Sequence, residues 1–146
     1  MDPNQSPKLP RSVLFTCNEN AVRSPMAEGL AKAYFKRRIF AASAGIVAGQ
    51  LDAFSVEAMR GLNIDISNHQ PKTFDDVAEE DFALIISLTP EAQHHAVELT
   101  RDSNAVVEYW PTFDPTIVEG SRQSRIDAYV QVRDALRKRI IERFNF

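Results

Sequence analysis

The sequence predicts an α/β fold: a single-domain three-layer sandwich, in which a four-stranded parallel sheet carries helices on both faces. Three observations lead there. Short apolar runs alternate four times with segments of helical spacing. The runs are continuously apolar rather than alternating, as strands buried on both faces require. The length of 146 residues, 44% of them hydrophobic, suits one compact core. Parallel strands joined through helices imply right-handed crossovers.

Residues 1–11, with three prolines and no periodicity, read as a flexible N-terminal tail, and residues 12–146 as the domain. SVLFT, Ser12 to Thr16, is a short β-branched and aromatic run that ends at Cys17. Ser24 and Pro25 then suit an N-cap and first turn, followed by Met26, Leu30 and Ala33/Tyr34 at helical spacing. IFAAS, Ile39 to Ser43, gives a second strand closed by Gly45. Asp52 caps a second helix through Phe54, Val56, Met59 and Leu62. Between Asn63 and Asp81, IDIS reads as a short extended piece, and FDDVAEEDF has helical spacing with acidic residues suited to a helix N-terminus. ALIISL, Ala83 to Leu88, is the clearest central strand, and Thr89 and Pro90 open a helix over Glu91 to Thr100. AVVEY, Ala105 to Tyr109, is the fourth strand, and WPTFDPTIVEGSRQS is a long loop whose length invites a function. Ile126, Tyr129, Val132, Leu136, Ile140 and Phe144 then share one face of a long C-terminal helix.

The composition narrows the partners. A net charge of −3 offers no excess for a phosphate backbone or an anionic lipid surface, so neither nucleic acid nor membrane is expected as a partner. No apolar run approaches the roughly 20 residues of a spanning helix. A single cysteine forms no internal disulfide, and MDPNQSPKLP lacks the basic flank and apolar stretch of a secretory signal. A cytoplasmic protein is expected. His94 and His95 are adjacent, a poor arrangement for a metal pair on a helix. Trp110 reads as core, although it adjoins the late loop.

Ligands in such folds bind beyond the C-terminal edges of the strands, where both Cys17 and the Trp110 to Gly120 loop fall. In CNENAVRS the thiol stands where a strand ends and a helix begins. A loop folding onto a helix N-terminus aims successive N–H groups at one point, and the helix dipole adds to their attraction for an anion. Arg23 suits a two-point grip on such an oxyanion. The same field, with a hydrogen bond from Ser24, would hold Cys17 as a nucleophilic thiolate. Asn20 tolerates the left-handed backbone that such a loop needs. Asp114 lies between Pro111 and Pro115, at the same sheet edge as Cys17, where it can serve as an acid, cap a turn, or do both.

CNENAVRSPMAEG, with SAGI at 43 to 46, GLNIDIS at 61 to 67 and FDP in the late loop, resembles the low-molecular-weight protein tyrosine phosphatases and the arsenate reductases that share their fold. The resemblance runs from about Ser12 to the C-terminus. It implies that Cys17 attacks phosphorus to form a phosphocysteine and that Asp114 protonates the leaving oxygen, then, ionised, activates water. One acid and one nucleophile suffice, without metal or cofactor. The substrate-binding loop would comprise Asn18, Glu19, Asn20, Ala21, Val22, Arg23 and Ser24, braced by hydrogen bonds among Asn20, Ser24, Ser43 and His69. The expected substrate is a phosphorylated protein or a small phosphate ester.

Three features depart from that family. Glu19 stands where a loop glycine is usual, so its carboxylate must point outward, weaken phosphate binding or select cationic substrate flanks. Val22 replaces a second loop cysteine, removing an in-loop disulfide partner. Thr116 and Ile117 replace an aromatic pair that would stack on a phosphotyrosine ring. SAGIVAGQLDAFSVEAM and DPTIVEGSRQSRIDAYVQVRD are closer to the arsenate reductases, many of which relay electrons through further cysteines that this chain lacks. A single-cysteine arsenate reductase using an external thiol or a redoxin is therefore the alternative activity. A non-catalytic phosphate-binding module is a third reading.

Overall fold

The structure, a computed structural model, describes residues 9–145. The expected tail therefore lies mostly outside the described residues. Its last part adjoins the fold: Leu9 packs against the core, and the Arg11 carbonyl accepts from the Phe40 N–H at 2.9 Å.

Four strands, β1 (Ser12–Cys17), β2 (Phe40–Gly45), β3 (Leu84–Ser87) and β4 (Val106–Tyr109), form one parallel sheet in the order β2-β1-β3-β4. The helices are α1 (Arg23–Phe35), α2 (Ala53–Arg60), α3 (Pro90–Leu99) and α4 (Arg122–Phe144). The sandwich foreseen from the sequence is therefore the observed fold.

Burial on both faces explains the continuous apolar strands. Val13 and Phe15 of β1 and Leu84 and Ile86 of β3 join Met26, Leu30, Met59, Val132, Leu136 and Ile140 in the larger core, beneath α1, α2 and α4. Their neighbours Leu14 and Ile85 face the other way, into a smaller core with Phe74, Val77, Phe82 and Ala96 of α3. Fully burying each such side chain stabilises the fold by about 1.5–3 kcal/mol. The C-terminal helix lies where its apolar stripe predicts, with Ile126, Tyr129, Val132, Leu136, Ile140 and Phe144 all buried.

Three local expectations need correction. Ser24 is not the N-cap of α1; Val22 occupies that position without a side-chain cap, because the Ser24 hydroxyl is engaged elsewhere. FDDVAEEDF yields only a 3₁₀ turn at Asp75–Val77, since Phe74, Val77 and Phe82 are buried while the acidic residues between them stay exposed. The second helix stops at Arg60, before Leu62, where the Gly61 N–H closes it on Ala58 and Met59. Asp52 and Thr89 do cap α2 and α3, accepting from Phe54 N at 2.8 Å and Ala92 N at 3.0 Å.

Because β1 is flanked by β2 on one side and β3 on the other, the chain leaves neighbouring strand ends in opposite directions. That opens a crevice at the carboxyl edge of the sheet. Cys17 ends β1 at this edge.

Candidate active site

Residues 17 to 22 turn sharply between β1 and α1, and their carbonyls face outward. The Cys17, Asn18 and Glu19 carbonyls accept from the N–H groups of Ile46, Val47 and Gly49 at 3.2, 3.0 and 2.8 Å, and that of Ala21 accepts from Asp52 at 3.0 Å. The N–H groups of residues 18 to 24 find no acceptor among the described residues. Such a run of unpaired donors at a helix N-terminus forms a cradle that can receive an anion. Asn20 makes the turn possible with φ 54. Gly45 lets the neighbouring strand end approach, since a Cβ there would stand 2.7 Å from Asn20 N.

A buried polar relay fixes this loop. The Cys17 sulfur lies 2.9 Å from Ser24 Oγ, and Asn20 Nδ2 donates to Ser24 Oγ at 2.8 Å and Ser43 Oγ at 2.9 Å. Asn20 Oδ1 accepts from Lys72 N at 3.0 Å and faces His69 Nε2 at 2.9 Å. Every hydrogen-bonding position of the fully buried Asn20 amide is therefore used. With Oδ1 identified as acceptor by Lys72, His69 carries its proton on Nε2. Since Ser24 accepts from Asn20, its own proton is available to the Cys17 sulfur. Burial is the main reason that His69 sits below the usual histidine pKa, with Lys72 and Lys32 acting the same way against Glu28 and the Asn20 bond.

Four of the residues expected to act together, Asn20, Ser24, Ser43 and His69, are thus joined beside Cys17. The relay extends to Glu28, which sequence reasoning did not single out. Ser43 Oγ donates to Glu28 Oε1 at 2.6 Å, and Lys32 pairs with Glu28 Oε2 at 2.6 Å. Glu28 stands four residues after Ser24, one helical turn on, and that spacing is the signal available in the sequence. Asn18 is turned toward the end of β3, its Oδ1 accepting from the Thr89 hydroxyl at 2.6 Å. Ala21 is buried, and Val22 packs against the larger core. Glu19 is exposed, with its carboxylate laid over Gly49.

Arg23 ties the loop to the late loop, donating from Nη1 to the Thr112 carbonyl at 2.9 Å. Asp114 follows two residues later. Its Oδ1 accepts from Thr116 N at 3.0 Å and Thr116 Oγ1 at 2.7 Å, capping the 3₁₀ turn Pro115–Ile117. Its Oδ2 has no hydrogen-bond partner among the described residues. Trp110 is buried against Phe15, as a core residue. Tyr129 donates to Asp52 Oδ2 at 2.7 Å; burial, this bond and the charges of Asp52 and Asp114 hold its phenol above the usual pKa, against Arg125.

Comparisons with known proteins place the chain in a family. The profile of the family described as low molecular weight phosphotyrosine protein phosphatase matches residues 12–143. An arsenate reductase of Halalkalibacterium halodurans is 32% identical over 130 residues, covering 88% of this chain and 91% of the relative. Among solved structures, the tyrosine phosphatase AmsI of Erwinia amylovora superposes with a TM-score of 0.76 at 19% identity, covering 94% of this chain and 95% of that one, a likeness of fold. The YwlE arginine phosphatase, a Bacillus subtilis protein, superposes with a TM-score of 0.72 at 26% identity, covering 88% and 90%. A matched profile from the start of β1 into the last turn of α4 identifies this chain as a member of the low-molecular-weight phosphotyrosine protein phosphatase family.

Proposed function

We propose that the chain is a phosphomonoester hydrolase acting through a phosphocysteine on Cys17. The observation that carries this reading is the Cys17 sulfur, 2.9 Å from the Ser24 hydroxyl, at the foot of a loop of unpaired N–H groups that leads into Arg23 and the helix N-terminus. The Cys17 thiolate attacks phosphorus as the phosphorus–oxygen ester bond breaks, and Asp114 gives its proton to the departing oxygen. Asp114, now a carboxylate, takes a proton from water as the water oxygen attacks phosphorus. The sulfur–phosphorus bond then breaks, releasing phosphate and the thiolate. The cradle N–H groups and Arg23 stabilise the charge on the equatorial oxygens throughout. Substrates are phosphorylated proteins or small phosphate esters. Hydrolysis of p-nitrophenyl phosphate tests the reading: Cys17→Ser abolishes it, and Asp114→Asn slows it by about 10²–10⁴-fold.

The curated relatives support a second reading. Those matched at 30–33% identity carry the name arsenate reductase. On this reading the same cradle holds arsenate, and two external thiols, or a redoxin, supply the two electrons that reduce arsenic and are oxidised to a disulfide. Cys17 is the chain's sole thiol, so all further sulfur chemistry is external. Arsenate-dependent oxidation of glutathione or a thioredoxin favours this reading; its absence beside rapid phosphate release excludes it. Tight phosphate binding without turnover of either kind would leave a binding module.

A further inference from the structure

We propose that Glu19 is a specificity-determining residue, favouring phosphorylated side chains that sit among lysines and arginines. The inference rests on the phosphatase reading and adds its substrate class.

Of residues 17 to 24, Glu19 alone has an exposed side chain. Asn18 is held by Thr89, Asn20 and Ser24 are sealed in the relay, and Arg23 reaches Thr112. Glu19 is therefore the one side chain of the loop that stands mainly in solvent. Its carboxylate does not curl into the cradle. Gly49 donates its N–H to the Glu19 carbonyl at 2.8 Å, and a Cβ on Gly49 would stand 3.0 Å from both Glu19 Cβ and Oε1. The bare backbone of Gly49 is the shelf on which the carboxylate rests, on the side where segment 46–49 pairs with the loop.

Glu19 has no ion-pair partner among the described residues. The arginines that open α4 are engaged: Arg122 pairs with Glu57 at 2.6 Å and lies 5.6 Å from the Phe54 ring centroid, and Arg125 stands 4.9 Å from the same centroid. The late loop adds the half-buried carboxyl of Asp114. Glu19 thus presents an uncompensated negative charge next to a site built for an anion. A phosphate ester bearing acidic neighbours is repelled there, and one bearing cationic neighbours is attracted. An exposed charge acting over several ångströms of water is worth about threefold to tenfold in kcat/KM at low ionic strength.

The test compares two phosphotyrosine peptides of equal length, one flanked by Lys and Arg and one by Asp and Glu, in wild type, Glu19→Gln and Glu19→Lys. A peptide that turns over slowly is read as a competitive inhibitor of p-nitrophenyl phosphate hydrolysis. The expected wild-type preference for the basic peptide is about threefold to tenfold, vanishing in Glu19→Gln, reversing in Glu19→Lys, and shrinking as salt is raised. Equal use of both peptides by wild type, or a preference that persists in Glu19→Gln, overturns the inference and leaves the phosphatase reading intact. Failure of wild type to hydrolyse p-nitrophenyl phosphate, or hydrolysis undiminished in Cys17→Ser, overturns that reading and the inference with it.

Discussion

The Ser24 hydroxyl accepts a hydrogen bond from Asn20 and lies 2.9 Å from the sulfur of Cys17, where its own proton is free to be donated. A hydrogen bond to a charged acceptor contributes about 1.5–3 kcal/mol. Ser24→Ala is accordingly expected to slow alkylation of Cys17 by iodoacetamide at neutral pH and to lower kcat by about 10- to 100-fold. Ser24→Thr, which keeps the hydroxyl, recovers part of both. Equal alkylation rates in wild type and Ser24→Ala would show that the hydroxyl does not serve the sulfur.

Glu28 holds the far end of the relay. Truncation to Ala strands the fully buried Ser43 hydroxyl and removes the partner of Lys32. Losing that acceptor costs about 1–3 kcal/mol of stability, measured as a lowered urea midpoint. The inhibition constant of inorganic phosphate rises as Asn20 loses its fixed neighbour. Glu28→Gln retains an acceptor for Ser43 and falls between the two.

His69 makes the fold sensitive to mild acid. Its folded pKa lies below the ordinary value of 6.5, chiefly through burial, so near and below that value the unfolded chain binds a proton that the folded chain does not. Its contribution is fully present above the unfolded value and is lost as pH falls toward the folded one. The urea midpoint of wild type should therefore drop between about pH 7.5 and pH 5.5, more steeply than that of His69→Gln. Identical slopes in the two proteins would contradict the assignment.

The reach of the sequence followed the range of the interactions. All four strands were legible because each is a short run with burial or pairing to satisfy, and α4 because its apolar stripe, Ile126 to Phe144, keeps to one face of a helix of 23 residues. Ser24 was misread as a cap because Ser-Pro is a local signal, whereas its hydroxyl is claimed by Asn20 and Cys17 across the loop. FDDVAEEDF carried helical spacing, but α3 already packs on that face of the sheet, and only Phe74, Val77 and Phe82 find cover. The left-handed turn at Asn20 could be read from its residue type. The bond from Arg23 to Thr112 could not, since any residue offers a carbonyl and only the fold brings this one within 2.9 Å.

The central claim is that a phosphoryl group passes through the sulfur of Cys17. Rapid mixing of the Asp114→Asn protein with p-nitrophenyl phosphate, followed by acid quench and mass spectrometry of the Cys17 peptide, tests it most directly. With water activation impaired, one phosphoryl group is expected on Cys17, in step with a burst of p-nitrophenol. Steady release of p-nitrophenol with Cys17 unmodified at every time point would contradict the account.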